Sequence, residues 1–456
     1  MLTQNLYRSS ASVGTMTDDS HPARDHRTYG RRRVLRTVGG ATAATIALAG
    51  CLGDGEDDLI PETETDREGT VPDGVAQFRR SLERWGYYPD ASVPDAVEQD
   101  WRLDRLNTGT HTAAKASAAP LPDGGVVFPG DTGYLVALDA DGEERWRTGT
   151  DTGPDARGIH GTPAVADGRV YVGAYDGVLY AVDAETGDVD WETKLGGSIG
   201  SSPLYHDGRL VMAVEYPDPE GSTFVVNAED GEIVWEDPEG RPTDHPHSTP
   251  AVDLEAGRLV CGSNDGILYG WSYPGLEFEW SFETESNDND GEIKGPIATY
   301  DGGAYFGSWD HHVYRVNLED GSEDWSFETG SLVMSGPAID PTLDTVFVGS
   351  HDGNLYALDA ASGDRHWSFP TDRPITGCPT VYDDRVLVGS KDGGLYALEK
   401  RSGDLVWEVD NDGVVTSTPR VIDGAIYYAE RAPNPDPEDG EETDTDGGGY
   451  KLVAAE

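Results

Sequence analysis

The stretch that decides the fold is TPAVADGRVYVGAYDGVLYAVDAETGDVDW, residues 162–191, which has close copies ending at Trp367 and Trp407. Each copy alternates short runs of β-branched and aromatic residues with glycine-containing turns, so it predicts four strands joined by three turns. Asp-Gly pairs such as Asp167-Gly168 supply the positive φ angles that tight hairpin turns require. Each copy therefore predicts one antiparallel four-stranded unit.

Tryptophan marks the period of these units. Eight of the 11 tryptophans lie on one register, at intervals of 40 to 45 residues: Trp101, Trp146, Trp191, Trp235, Trp280, Trp325, Trp367 and Trp407. This period is typical of propeller blades of four strands. One large ring per blade can be buried against the next blade, so we interpret these tryptophans as structural docking residues. The sequence predicts an all-β, eight-bladed β-propeller.

The eighth blade is predicted to combine both ends of the chain. Its first three strands fall within residues 416–428 and 450–455, a region without a tryptophan of its own. The missing fourth strand is residues 100–103, which carry Trp101. Joining the two ends in one blade closes the ring and removes sheet edges that invite aggregation.

The sequence divides into four parts. We predict an export signal at residues 1–50, an acidic tether at 51–75, a lead-in segment at 76–99 and the propeller at 100–456, with an acidic loop at 431–449 in its closing blade. The tether is acidic and nearly free of aromatic residues, which predicts a flexible segment.

The first fifty residues resemble a twin-arginine export signal joined to a lipoprotein cleavage site. Arg31 and Arg32 form the arginine pair, although Val34 stands where a phenylalanine is usual. The apolar stretch that follows is shorter than the ~20 residues of a spanning helix. It ends at Cys51, the lipid-attachment residue of the motif Leu-Ala-Gly-Cys. These features predict export by the twin-arginine route and a lipid anchor at the outer face of the cytoplasmic membrane; the alternative is a basic leader with a chance cysteine.

The charge of the chain excludes a nucleic-acid partner. The net charge is −52, from 33 Lys and Arg against 85 Asp and Glu, whereas nucleic acids are bound by basic surfaces. Two interpretations of the acidity remain: a dedicated acidic binding face, or a surface adapted to a very salty medium. The second is favoured because no single segment holds most of the carboxylates, and it suggests a haloarchaeal source. We expect a monomer.

The repeats resemble those of the pyrroloquinoline-quinone-like (PQQ-like) propeller family with its tryptophan-docking motif, as at residues 181–191 and 357–367. Phe78-Arg79-Arg80, followed by Gly86-Tyr87, is similar to the segment that precedes the propeller in many of these proteins. The family includes quinone-dependent dehydrogenases and non-catalytic scaffolds such as the BamB-like exported lipoproteins. The resemblance implies the fold and leaves the function open.

The resemblance also implies what a catalytic member would carry. Dehydrogenases of the family have an adjacent cysteine pair, a calcium set of Glu, Asn and Asp, and often a Cys-x-x-Cys-His haem site. Neither cysteine motif occurs here, where the cysteines are Cys51, Cys261 and Cys378. We therefore predict no cofactor, with PQQ and calcium as the alternative. Cys261 and Cys378 are expected to be buried and too far apart for a disulfide.

Histidines suggest a site at one mouth of the central channel. Three residues before the proline that opens an inner strand stand His160 in blade two and His247 in blade four, with Met334, Thr376 and Thr416 in blades six to eight. Two histidines do not establish a metal site, so none is predicted. The residues are interpreted either as polar groups facing a wet channel or as a docking site for a peptide or small ligand. The candidate ligand-binding residues are His160, Tyr175, His247, Trp309, His311 and His351, with His312 beside them.

Three functions remain open at this point. The favoured one is a non-catalytic binding or scaffold protein whose partner is an extracytoplasmic protein or a small molecule. The second is a PQQ-dependent alcohol or sugar dehydrogenase. The third is an extracellular sensor domain.

Overall fold

The computed structural model describes residues 69–107, 116–150, 158–217, 220–285, 291–432 and 447–455, and the backbone of Arg36 and Thr37. The described residues form strands and turns and no α-helix, so none of them belongs to a helix that could span a membrane. The predicted export and lipid-attachment residues Arg31, Arg32 and Cys51 lie outside these ranges.

Eight antiparallel sheets confirm the predicted eight-bladed β-propeller. In every blade the first strand is more buried than the fourth strand, which is partly exposed at the rim. From first to fourth strand, the blades are as follows: one, Ala119–Pro120, Val126–Pro129, Tyr134–Leu138 and Glu144–Gly149; two, Ala164–Ala166, Arg169–Gly173, Val178–Asp183 and Val189–Lys194; three, Leu204–His206, Arg209–Glu215, Gly221–Asn227 and Ile233–Glu236; four, Ala251–Asp253, Arg258–Gly262, Ile267–Ser272 and Phe278–Glu283; five, Ala298–Tyr300, Gly303–Gly307, His312–Asn317 and Glu323–Glu328; six, Ala338–Asp340, Thr345–Gly349, Asn354–Asp359 and Arg365–Pro370; seven, Thr380–Tyr382, Arg385–Gly389, Gly394–Glu399 and Leu405–Asp410; eight, Arg420–Ile422, Ala425–Ala429, Gly447–Ala454 and Val97–Asn107. Arg36–Thr37 adds a two-residue strand to the rim of blade seven.

The two ends of the chain meet in blade eight, as the sequence predicts. The strand Val97–Asn107 pairs antiparallel with Gly447–Ala454, and Trp101 is opposite Lys451. It is longer than the predicted segment 100–103 because its flanking residues also pair. Polar contacts fix the register: the Lys451 ammonium lies 2.7 Å from an Asp100 carboxylate oxygen.

Hairpin turns have the geometry that the Asp-Gly pairs predict. Asp167 and Gly168 have φ angles of 51° and 76°, which place both residues in the left-handed region. A type I′ turn needs positive φ at both positions, and its twist matches the twist of the flanking strands. The turn sequence therefore sets the pairing of the first two strands in blade two.

The tryptophans dock each blade onto the next one. The Trp146 indole Nε1 donates a hydrogen bond to the Ala184 carbonyl at 3.1 Å. A Cβ atom at Gly187 would lie 2.8 Å from the Trp146 ring, so the turn above the ring accepts only glycine. Trp235 departs from this pattern and packs edge-on against Trp271, with ring centroids 6.5 Å apart.

Residues 75–88, which we call the plug, run along the inner edges of the blades. Their backbone bonds to the first strands of blades two, four, five, six and seven in chain order: Ala76 with Val165, Leu82 with Val252, Glu83 with Thr299, Trp85 with Ile339 and Gly86 with Val381. Tyr87–Tyr88 then pairs in parallel with Val381 and Tyr382 of blade seven. The plug thus satisfies backbone groups that would otherwise face the channel unpaired.

Two buried arginines of the plug donate hydrogen bonds to backbone carbonyls of the blades. Arg84 donates to the carbonyls of Pro203 in blade three and Pro250 in blade four, both at 3.2 Å. Arg79 donates to Gly336 O in blade six at 2.9 Å. Together with the backbone bonds, these contacts join the plug to the first strands of blades two to seven, so the plug occupies part of the channel at that level.

Candidate functional site

A cavity of about 330 Å³ lies in the channel above the plug. The buried Phe78 ring of the plug forms part of its wall. Its other walls come from two kinds of position in the blade: residues just before a first strand, such as His160, and residues in the turn between second and third strands, such as Tyr175. The cavity is therefore built by the blade repeat, so that residues distant in sequence meet at the axis.

Hydroxyl groups tie the inner strands together around the cavity. The Ser202 hydroxyl accepts a hydrogen bond from the Thr162 amide at 2.9 Å, and the Thr249 hydroxyl accepts one from the Ser202 amide at 3.1 Å. These bonds connect blades two, three and four at equivalent positions. They hold the walls at a fixed spacing, which favours a preformed site.

His160, Tyr175 and His247 form one side of the cavity. His160 is 5% exposed, and its ring centroid lies 4.2 Å from that of Tyr175. His247 Nδ1 lies 3.3 Å from the Tyr175 hydroxyl and 3.1 Å from Oε1 of the buried Glu215. The contact with Glu215 thus orients the His247 ring. The two histidines and the tyrosine give this side of the cavity aromatic rings that carry polar atoms.

Trp309 and His351 lie in the corresponding turns of blades five and six. The Lys294 ammonium lies 3.7 Å from the centroid of the Trp309 ring, a close cation–π contact, and it also pairs with Glu292. His351 Nε2 lies 3.2 Å from the Thr376 hydroxyl. The first contact lies within blade five, whereas the second joins blade six to the residues that precede the first strand of blade seven.

Lys391 brings a further positive charge to the cavity from blade seven. Burial lowers the pKa of its ammonium group, and the charge of Arg431 lowers that pKa further. Arg431 occupies the equivalent turn of blade eight and is itself buried. Burial lowers the pKa of Arg431 and the charge of Asp131 raises it. Lys391 is therefore the residue of this pair that brings its charge to the described lining.

The structure brings together five of the six candidate residues from the sequence. His160, Tyr175, His247, Trp309 and His351 line the cavity, whereas His311 is not among its described lining residues. His311 follows Asp310 at the turn position where other blades have glycine, and its φ is 77°. Met334 also lines the cavity; the neighbouring His312, Thr376 and Thr416 are not among the lining residues described.

Sequence reasoning missed Lys294 and Lys391. The proline used for alignment stands one residue early in blade five, at Pro296, and Lys294 is the residue equivalent to His160 once the strands are superposed on Ala298 and Ala164. Lys391 precedes Asp392-Gly393 as Tyr175 precedes Asp176-Gly177. Scoring the residue before each turn aspartate would have found it.

The cavity does not fit the calcium-bound quinone of the catalytic relatives. No Asp, Glu, Asn or Cys occurs among the described residues that line it. Cys261 and Cys378 are free and buried, as the sequence predicts, and the described residues contain no cluster of three or more His, Cys, Asp or Glu placed to hold a metal ion. Ca²⁺ requires several oxygen ligands, and this lining offers hydroxyls, imidazoles and ammonium groups instead.

Comparison with known families decides where the chain belongs. The family described as outer membrane protein assembly factor BamB matches residues 131–281 and 309–441, which is more than half of the chain. The chain belongs to the BamB family of PQQ-like propellers. One member, the BamB of Yersinia pestis, is 25% identical over 227 residues, covering 47% of this chain and 57% of that protein. The chain thus matches less than two thirds of the length of this BamB relative.

Solved structures share the propeller of this BamB family chain. BamB from Moraxella catarrhalis superposes with a TM-score of 0.59 at 18% identity, covering 78% of this chain and all of that one. Quinohemoprotein alcohol dehydrogenase from Comamonas testosteroni gives a TM-score of 0.66 at 15% identity, covering 83% and 80%. At these identities the likeness concerns the fold alone. The chemistry of the cavity therefore has to be argued from its own residues.

Proposed function

We propose that this chain is an exported, lipid-anchored, non-catalytic propeller that binds a small ligand in the cavity above the plug. The observation that carries the proposal is a cavity of about 330 Å³, bounded in part by Phe78 of the plug and lined by aromatic and histidine side chains. This volume lies in the range of small-molecule sites, which combine apolar walls with a few polar groups. Because the plug occupies part of the channel, a small ligand is favoured over a peptide threaded through the ring.

The BamB relatives support a binding role rather than a particular partner. Their name describes assembly of outer membrane proteins, and the BamB family match covers the blades of this chain. An acidic surface suited to a saline exterior suggests a cell without an outer membrane, so we carry over the role of a binding platform and not the assembly partner. The anchor at Cys51 would hold this platform at the membrane, and fractionation of a Cys51→Ser variant would test it.

Filling the cavity is expected to abolish ligand retention. Met334→Trp places a large ring in the cavity, so full-chain protein extracted gently from its native membrane at native salt should lose the bound mass seen for the unmodified chain. Native mass spectrometry measures this. The double variant His160→Ala/His247→Ala removes polar contacts worth about tenfold in affinity each and should also weaken retention.

The control places the same new ring outside the cavity. Leu254 is an exposed side chain in blade four, and Leu254→Trp should leave ligand retention unchanged. Equal retention by the Met334→Trp variant and the unmodified chain would show that the ligand binds elsewhere, and would overturn the proposal.

A further inference from the structure

The residues that line the cavity differ in charge from the rest of the protein. The chain has a net charge of −52, yet the described lining holds two lysines and three histidines and no carboxylate. Asp and Glu make up 85 of the 456 residues, so sixteen residues taken at random from the chain would include about three of them. The exclusion of carboxylates from the lining is therefore a property of the site, since the whole-chain composition opposes it.

Lys391 is the cation that the surrounding structure does not neutralise. Lys294 pairs with Glu292, and His247 lies against Glu215. Among the residues that the structure describes, the Lys391 ammonium has no hydrogen-bond or ion-pair partner, although the side chain is half-buried. Holding a partly desolvated charge without a partner is costly, and the direction of its pKa shift reflects that cost.

The residues in the turns between second and third strands differ in charge from blade to blade. His351, Lys391 and Arg431 occupy equivalent turns of blades six, seven and eight, and all three can carry positive charge. Tyr175 and Trp309 occupy those turns in blades two and five. Asp131 occupies the same turn of blade one and acts on Arg431, whose pKa burial lowers and the charge of Asp131 raises. Of the two cations Lys391 and Arg431, Lys391 is the one that lines the described cavity. Trp309 adjoins this group from blade five, and Tyr175 lies two blades beyond blade eight.

We propose that the ligand of this cavity is a small amphiphilic anion, whose carboxylate or similar group binds Lys391 while its apolar part lies against Trp309 and Tyr175. This inference rests on the proposed function and specifies the chemistry of its ligand. A charge-assisted hydrogen bond to the ammonium would supply the missing partner. Salt screens a half-buried pair less than a surface pair, so the contact remains effective in a saline medium.

Phthalate and its neutral analogue phthalamide test the charge requirement. We expect isothermal titration of the full chain in molar salt to show phthalate binding at least about tenfold more tightly than phthalamide. Lys391→Met should weaken phthalate binding about tenfold and leave phthalamide binding unchanged. Lys391→Arg, which keeps the charge, should retain most of the affinity for phthalate.

Two measurements separate loss of binding from loss of fold. Lys391→Met removes a partly buried charge, so its melting temperature should equal or exceed that of the unmodified chain. Arg147→Met, at an exposed arginine on the rim of blade one that pairs with Glu144, should leave both affinities unchanged. A Lys391→Met variant that is folded and binds phthalate normally would overturn the inference.

The outcomes also distinguish this inference from the proposed function. Equal binding of phthalate and phthalamide, both blocked by Met334→Trp, would leave the cavity as a ligand site and overturn its preference for anions. Binding of phthalate that Met334→Trp does not affect would remove both the anion site and the ligand-binding role from this cavity. Failure of phthalate to bind at millimolar concentration would also overturn the preference for anions.

Discussion

Replacement of residues 98–104 by a glycine–serine segment of equal length is expected to open the ring and lower the free energy of unfolding by more than about 5 kcal/mol. The replaced residues pair from Glu98, opposite Val453, to Leu103, opposite Gly449. Their loss exposes the edge of the third strand of blade eight. It also exposes the surface of blade one around Gly142, which the Trp101 ring covers. Urea denaturation in molar salt measures the change, and exposed edges should also cause self-association.

A single docking tryptophan provides the comparison. Trp325→Ala removes a buried ring that lies under Gly363, which should cost about 3–5 kcal/mol while the ring of blades stays closed. Adding a synthetic peptide of residues 97–107 should restore the urea midpoint of the glycine–serine variant and have no effect on Trp325→Ala. An unchanged midpoint in the glycine–serine variant would mean that blade eight does not depend on this strand.

The blades could be predicted because local rules and the repeat agree. Asp-Gly turns, alternating strands and the tryptophan register all indicate the same four-stranded unit, and Trp101 extends that register to the N-terminal side. The exception at Trp235 has a local cause. Blade four has Pro274 and Gly275 in the turn where most other blades have an Asp, Asn or Glu four residues before a glycine, as in Asp183 to Gly187. The usual docking carbonyl is there replaced by contact with Trp271.

The site was harder to predict because its residues were located by aligning the repeats on one residue, the proline that opens each first strand. His160 and His247 were placed correctly at the channel because a proline follows each of them at a fixed distance. Lys294 was missed because Pro296 is shifted by one residue. The polar residues of the cavity show no periodic pattern in the sequence. An alignment error of one residue therefore assigns a neighbouring residue, which faces another direction, to the cavity.

The plug could not be predicted because its bonds join residues far apart in the sequence. Arg84 binds the carbonyls of Pro203 and Pro250, and no local pattern indicates such partners. The one available signal was composition. Three arginines occur within residues 79–84, in a chain with 33 basic residues against 85 acidic ones, and such a cluster beside a repeat domain is a reason to expect buried anionic or carbonyl partners.

Arg84→Ala is expected to cost about 3–5 kcal/mol and to detach the plug locally. Arg84 is fully buried, and burial, with the charge of Arg79 as a second cause, lowers the pKa of its guanidinium to about 9. It remains protonated at neutral pH and satisfies three carbonyls, including Phe78 O at 2.6 Å. Removing it leaves those oxygens buried without a donor and opens a void. Urea denaturation measures the loss.

Arg80→Ala is the matched control within the plug. Arg80 pairs on the surface with Asp90 at 2.9 Å, a type of contact that contributes about 0–1 kcal/mol. Hydrogen exchange followed by mass spectrometry should show faster exchange of the amides in residues 75–88 for Arg84→Ala and no change for Arg80→Ala. Similar exchange in both variants would show that the plug is held by its backbone bonds rather than by the buried guanidinium.

The same pair of variants connects the plug to the cavity. Phe78 contributes both a wall of the cavity and a carbonyl that accepts from Arg84, so displacing Arg84 should move Phe78 out of the wall. Ligand retention should therefore fall for Arg84→Ala in proportion to the increase in plug exchange, and remain normal for Arg80→Ala. A loosened plug with full ligand retention would place the bound ligand against the blades alone, whereas parallel losses would make the plug part of the binding site.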